Sequence, residues 1–119
     1  MDDIMKNRPD SLTGSTEKIR TGYGNLFLTI NVDQAGKPIE IFASIGKSGH
    51  SIMAVTEAIC RLASLALQSG TGVDTIVEQL IGIGGSSPVV NKNEEILSIP
   101  DAIAKILQRH FGSGKKEIT

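Results

Sequence analysis

The sequence predicts an α+β fold, a small antiparallel sheet covered on one face by helices. Two stretches in the first half, NLFLTINVD (25–33) and PIEIFASI (38–45), alternate apolar and polar residues with the period of a half-buried strand. From residue 51 onward the apolar spacing lengthens to that of helices. Glycines and cap-forming residues then divide the second half into separate helices.

At 119 residues the chain is long enough for one core and is read as one domain over 16–111. Residues 1–15 are polar, carry Pro9 and Gly14, and read as a flexible leader or linker, and 112–119 read as a flexible tail. An edge strand is expected at 16–22, ending in the turn Gly22-Tyr23-Gly24. In the first long strand Leu26, Leu28, Ile30 and Val32 share one face; in the second, Ile39, Ile41, Ala43 and Ile45 do. Aligning both faces requires paired residue numbers with an odd sum. A sum of 71 leaves a four-residue loop containing Gly36 and is preferred over the two-residue Gln34-Ala35 loop. That register sets Phe27 and Phe42 diagonally adjacent on the outward face, where the leader, the edge strand or a partner would cover them.

A first helix is expected at 51–69, burying Val55, Ile59, Leu62 and Ala66, with Glu57, Arg61, Ser64 and Gln68 as its polar stripe and Gly70 as its stop. Thr71 with Asp74 forms a capping box for a helix at 73–81 that buries Val73, Ile76, Val77 and Leu80. GIGGSSPVVNKNEE (82–95) reads as loop. Ser98 with Asp101 forms another capping box, around Pro100, for a last helix at 99–110 that buries Ile103, Ile106 and Leu107.

Charge excludes some functions. Twelve basic against 13 acidic side chains lack the excess of a phosphate-tracking nucleic-acid binder, and four aromatics (Tyr23, Phe27, Phe42, Phe111) make no stacking platform. Cys60 is the sole cysteine, so no internal disulfide and no multi-cysteine metal site is available, and its apolar helical setting reads as an inert core thiol. The opening MDDIMKNRPD has no apolar run, and Glu57 and Arg61 interrupt the longest apolar segment; no membrane span and a cytoplasmic location are expected.

Gly46-Lys47-Ser48 imitates a phosphate-binding loop, but Ile41 occupies the place where a Walker motif needs glycine, and the preceding strand belongs to a hairpin. What survives is a candidate anion or ligand turn at a helix start, formed by Gly46, Lys47, Ser48, Gly49, His50 and Ser51. His50 has no nucleophile with an orienting acid beside it, His110 falls at a helix C-terminus, and Glu94 and Glu95 read as solvated, so no catalytic residue is assigned. Gly82, Gly84, Gly85 and Ser86 form a glycine-rich loop that either lets backbone approach a ligand or another chain, or is a flexible connection.

Five stretches in order, KIRTGYGNLFLTIN, IEIFASIGKSG, TEAICRLASLALQSG, VEQLIGIGG and ILSIPDAIAKIL, resemble the TSCPD domain at the C-terminus of adenosylcobalamin-dependent, class II ribonucleotide reductases. The motif that gives that domain its name corresponds to Leu97-Ser98-Ile99-Pro100-Asp101 here, and RPDSLTGSTEKI resembles the linker leading into it. Many members carry cysteines where this chain has Tyr23, Ser51, Gly85 and Ile99; it is a cysteine-free variant at those places, without the metal or redox site that four cysteines would imply. The radical-bearing barrel, its cobalamin and nucleotide sites, and a cysteine-rich tail are not among these residues, so no ribonucleotide reduction is expected of this chain alone and no cofactor is expected on it. The resemblance implies a non-catalytic accessory module, with the class II reductase catalytic chain as partner and Phe27, Phe42, Tyr23 and the glycine loops as contacts. The alternatives are a nucleotide or phosphate sensor acting through Gly46 to Ser51, and a structural module that forms a homo-oligomer.

Overall fold

The computed structural model describes residues 8–46 and 49–112. Three antiparallel strands, β1 (Thr13–Thr21), β2 (Gly24–Val32) and β3 (Pro38–Ile45), form one sheet in the order β1-β2-β3. Helices α1 (His50–Gln68) and α2 (Val73–Leu80) follow, then a hairpin of β4 (Val89–Asn91) and β5 (Glu94–Ile96), and finally α3 (Ile99–Phe111). This is the expected α+β layer. β1 begins at Thr13, three residues inside the segment read as leader.

The predicted register holds. Leu26 pairs with Ile45 and Asn31 with Glu40, both summing to 71, before a bulge at Asn31/Val32 slips the last pair to Val32–Pro38. The Asp33 carboxylate closes the turn by accepting from the Ala35 and Lys37 N–H groups, while Gly36 takes a left-handed φ of 84°. Leu26, Leu28, Ile30, Ile41 and Ile45 then form the inner face, against which α3 brings Ile99, Ala102, Ile103, Ile106 and Leu107.

The phase of α1 differs from the prediction. Its buried residues are Thr56, Cys60, Ala63 and Leu67, each one position beyond the expected stripe of Val55, Ile59, Leu62 and Ala66. One residue is a rotation of about 100°, enough to leave Val55 59% and Leu62 68% exposed. Ser64, assigned to the polar stripe, explains the turn: its hydroxyl accepts from the Ile41 N–H (2.9 Å) and donates to the Ile41 carbonyl (3.1 Å). Both groups lie on the free edge of β3, so α1 closes that edge, and Cys60 and Ala63 are small enough to let it approach. Leu67→Ala is therefore expected to cost about 2–5 kcal/mol. Leu62→Ser, one step round the helix from Ala63, should stay within about 0.5 kcal/mol of the parent. Urea unfolding of the two variants checks the phase directly.

Two more expectations are corrected. The α2 helix starts after Gly72 with no side-chain cap, so Thr71 does not cap it; the extended backbone that suits an N-cap falls one residue later. The stretch 82–95, read as loop, holds the β4–β5 hairpin, whose two-residue turn sets Lys92 at φ 48° and Asn93 at φ 73°. Three-residue strands are too short to show alternation, and lysine is not a residue that announces a left-handed turn. By length and composition alone α1 (19 residues, mean hydropathy 1.3) is long and apolar enough to cross a membrane. Here its Thr56–Leu67 stripe packs into the chain's own core, and Glu57 and Arg61 pair at 2.6 Å on its surface.

Candidate functional site

The motif Leu97-Ser98-Ile99-Pro100-Asp101 lies where β5 runs into α3. Ser98 is the helix N-cap: its hydroxyl accepts from the Asp101 N–H (3.2 Å) and donates to the Ile83 carbonyl (2.6 Å). Pro100 sits in the first turn, where its missing N–H costs nothing. The Asp101 carboxylate turns to the N–H groups of Leu97 (2.9 Å) and Gly82 (2.8 Å) and to the Lys105 ammonium (2.7 Å). Lys105 also donates to the Glu95 carbonyl. One buried carboxylate thus joins the end of α2, the hairpin and α3. Gly82 has a φ of 78°, a conformation glycine reaches without strain, and its N–H is aimed at Asp101.

Burial pushes the Asp101 pKa up, but the Leu97 N–H, the Lys105 ammonium and the Gly82 N–H outweigh it and hold the carboxyl below its ordinary value. The carboxylate is fully buried, and three internal donors take most of its lone-pair sites. Asp101 is therefore a structural clasp.

The turn between β1 and β2 docks on the glycine-rich loop. The Tyr23 hydroxyl meets the Ser86 hydroxyl at 3.2 Å. Gly22 lies so close to the Ser87 carbonyl that a Cβ there would collide with it. Gly85 lies beneath the Leu97 carbonyl and Ser98, whereas Gly84 faces open space. Gly85 thus serves the chain's own packing, and Gly82 its hydrogen bond to Asp101. Three of the four places where the resemblance has cysteines, at Tyr23, Gly85 and Ile99, border this one junction, and Ser51 is exposed at the start of α1. Among the described residues no cluster of His, Cys, Asp or Glu could hold a metal ion.

Of the candidate anion turn, Lys47 and Ser48 lie outside the described residues. Gly49 is the α1 N-cap without a side-chain cap, and His50 and Ser51 point to solvent in the first turn. Glu94 and Glu95, read as a solvated pair, have separate roles: Glu94 pairs with Arg109 at 2.7 Å, and Glu95 lends its carbonyl to Lys105. His110 approaches Glu17 at 3.3 Å at the end of α3.

Two apolar surfaces stay open to solvent. Phe27 sits opposite Ser44 and Phe42 opposite Thr29, diagonal neighbours on the outer sheet face, 39% and 54% exposed. Arg8 reaches this face and grips Glu40 with two parallel bonds of 2.8 Å, while Asn31 donates to the same carboxylate at 2.7 Å. The Arg8 guanidinium, against the opposing effect of burial and with help from Asn31, lowers the Glu40 pKa. That clamp covers one corner of the face and leaves both rings exposed. Val55 and Leu62 make a second exposed apolar surface along α1, which the expected helix phase had placed in the core.

Cys60 matches its sequence reading. Burial, helped by the Glu57 charge, pushes its thiol up to about 11. At pH 8 a thiol reagent is expected to label the native protein at least about a hundredfold more slowly than the urea-unfolded chain, because so little thiolate is present and access is closed. Equal labelling rates would contradict the burial of Cys60.

Comparison with known protein families shows that the model of the TSCPD domain matches residues 3–111. No curated protein and no solved structure matches the chain.

Proposed function

The chain belongs to the TSCPD domain family, and from that premise we propose that it is a non-catalytic accessory domain of a vitamin B12-dependent ribonucleotide reductase. The family is typical of such reductases. In this reading the domain docks on the class II catalytic chain in the cytoplasm and acts on its assembly or regulation. Adenosylcobalamin and the reduction of ribonucleotides belong to that chain.

The observation that carries the reading is the exposed Phe27–Phe42 pair on an otherwise satisfied sheet. Its neighbours are hydrogen-bonded and the core beneath is complete, yet two rings stand in water. Exposed aromatics of this kind mark protein contacts. The occupation of Asp101 by three internal donors supports a role without chemistry of its own. A tagged chain is expected to retain a cobalamin-dependent reductase, identified by mass spectrometry, from its native lysate. Equal retention by an unrelated fold of the same charge removes the proposal.

A second reading has its own observation. Along the outer side of α1, Val55, Ala58, Leu62 and Leu65 follow at the three- and four-residue spacings of a helix-pairing seam. Paired antiparallel across a two-fold axis, Val55 meets Leu65 and Ala58 meets Leu62, so the seam complements itself. Sedimentation at increasing concentration is the check: a monomer–dimer shift abolished by Leu62→Asp supports self-association, and one constant monomer mass excludes it.

A further inference from the structure

A groove of about 680 Å³ opens between the outer edge of β1 and the β4–β5 hairpin, lined by Lys18, Ile19, Arg20, Val90, Asn91, Lys92, Glu94 and Arg109. Four of these are cations and one is a carboxylate, a local excess of three positive charges in a chain whose net charge is −1. Arg109 is neutralised by Glu94 at 2.7 Å. The excess therefore rests on Lys18, Arg20 and Lys92, none of which has a carboxylate partner among the described residues.

These cations are held in place differently. The Arg20 guanidinium donates to the Asn91 side-chain oxygen (3.0 Å) and the Val90 carbonyl (3.1 Å), and Asn91 donates back to the Arg20 carbonyl (3.0 Å). Its partners are neutral, so the fork is fixed and the charge uncompensated. The same bonds fasten the hairpin to the sheet, and Lys92, at the left-handed turn position, lines the groove together with Lys18.

We propose that this groove binds a compact polyanion carrying two or more linked phosphates. A guanidinium held by neutral partners beside two exposed ammonium groups suits clustered phosphate oxygens. An extended acidic peptide fits less well: a strand added along β1 would run into Asn91, which already occupies the edge at Arg20. Gly46, Gly49, His50 and Ser51 are not among the lining residues, and the proposal stands whether or not the domain docks on a reductase.

Titration calorimetry of the whole chain with inorganic triphosphate in about 50 mM salt tests this. Saturable binding is expected, at least about tenfold weaker in the Lys18→Ala/Lys92→Ala double variant and unchanged in Lys37→Ala, a cation of the β2–β3 turn. Both lysines of the double variant are exposed, and circular dichroism confirms that it stays folded. Orthophosphate should bind at least about tenfold more weakly than triphosphate, because it reaches fewer of the cations. Adenosine triphosphate separates the sources: affinity equal to triphosphate identifies a phosphate chain alone, and tighter binding identifies a nucleotide. The proposal is overturned by no saturable heat up to about 5 mM ligand, by binding that survives the double substitution, or by hexaglutamate binding as tightly as triphosphate.

Discussion

Asp101→Ala is expected to lower the unfolding free energy by about 3–5 kcal/mol. The carboxylate is fully buried and accepts from Leu97, Gly82 and Lys105. Truncation leaves two part-buried N–H groups without their acceptor and an ammonium, 20% exposed, without its counter-charge. A domain of this size is stable by only about 5–15 kcal/mol, so the variant should melt at least about 10 °C lower. Asp101→Asn keeps the shape and one acceptor oxygen, so its loss should be smaller than that of alanine. A drop of under about 1 kcal/mol for Asp101→Ala would contradict the clasp.

The same group gives a pH dependence with a definite sign. Its folded pKa lies below the ordinary 3.8, so the unfolded chain binds its proton first as pH falls. Its contribution is complete above that ordinary value and is lost as pH falls through the depressed folded value. Glu40, also lowered from its ordinary 4.5, acts in the same direction. Stability should therefore fall with acid below about pH 5, with a weaker dependence in Asp101→Asn, read from urea midpoints at a series of pH values.

The second large effect concerns partner binding. Phe27→Asp combined with Phe42→Asp is expected to weaken binding to a cobalamin-dependent reductase by at least about thirtyfold, or 2 kcal/mol, because buried aromatic anchors dominate interfaces. Both rings lie on the outer face and neither belongs to the buried core, so the melting temperature should change little. Leu62→Asp, on the far side of α1, should leave reductase binding within about threefold of the parent. Loss of affinity through Leu62 with none through the phenylalanines would move the contact to α1.

Much of this was legible in the sequence because strand alternation is strict where one face is buried. Leu26, Leu28 and Ile30 against Ile41 and Ile45 require an odd-sum register, the four-residue loop with Gly36 selects 71, and the diagonal placing of Phe27 and Phe42 follows from it. Helix α1 was harder, because apolar residues lie on two sides of it. The larger ones, Val55 and Leu62, pointed to the wrong face, since what seats the helix is a hydroxyl–backbone contact at Ser64 and the small size of Cys60 and Ala63. The β4–β5 hairpin went unread because six strand residues around Lys92-Asn93 carry too little pattern. The capping box at Ser98 was visible, but the partners of Asp101 come from residues 4 to 19 positions away, and no local motif announces them. The basic groove likewise unites three distant segments, none of them a charge run.

Docking on a reductase is tested by titrating the purified chain against a purified cobalamin-dependent reductase catalytic chain and following the complex by sedimentation. A saturable complex is expected, with Kd at or below about 10 μM, weakened at least about thirtyfold by Phe27→Asp/Phe42→Asp. No complex at about 100 μM of either component, or a complex indifferent to both phenylalanines, would contradict it.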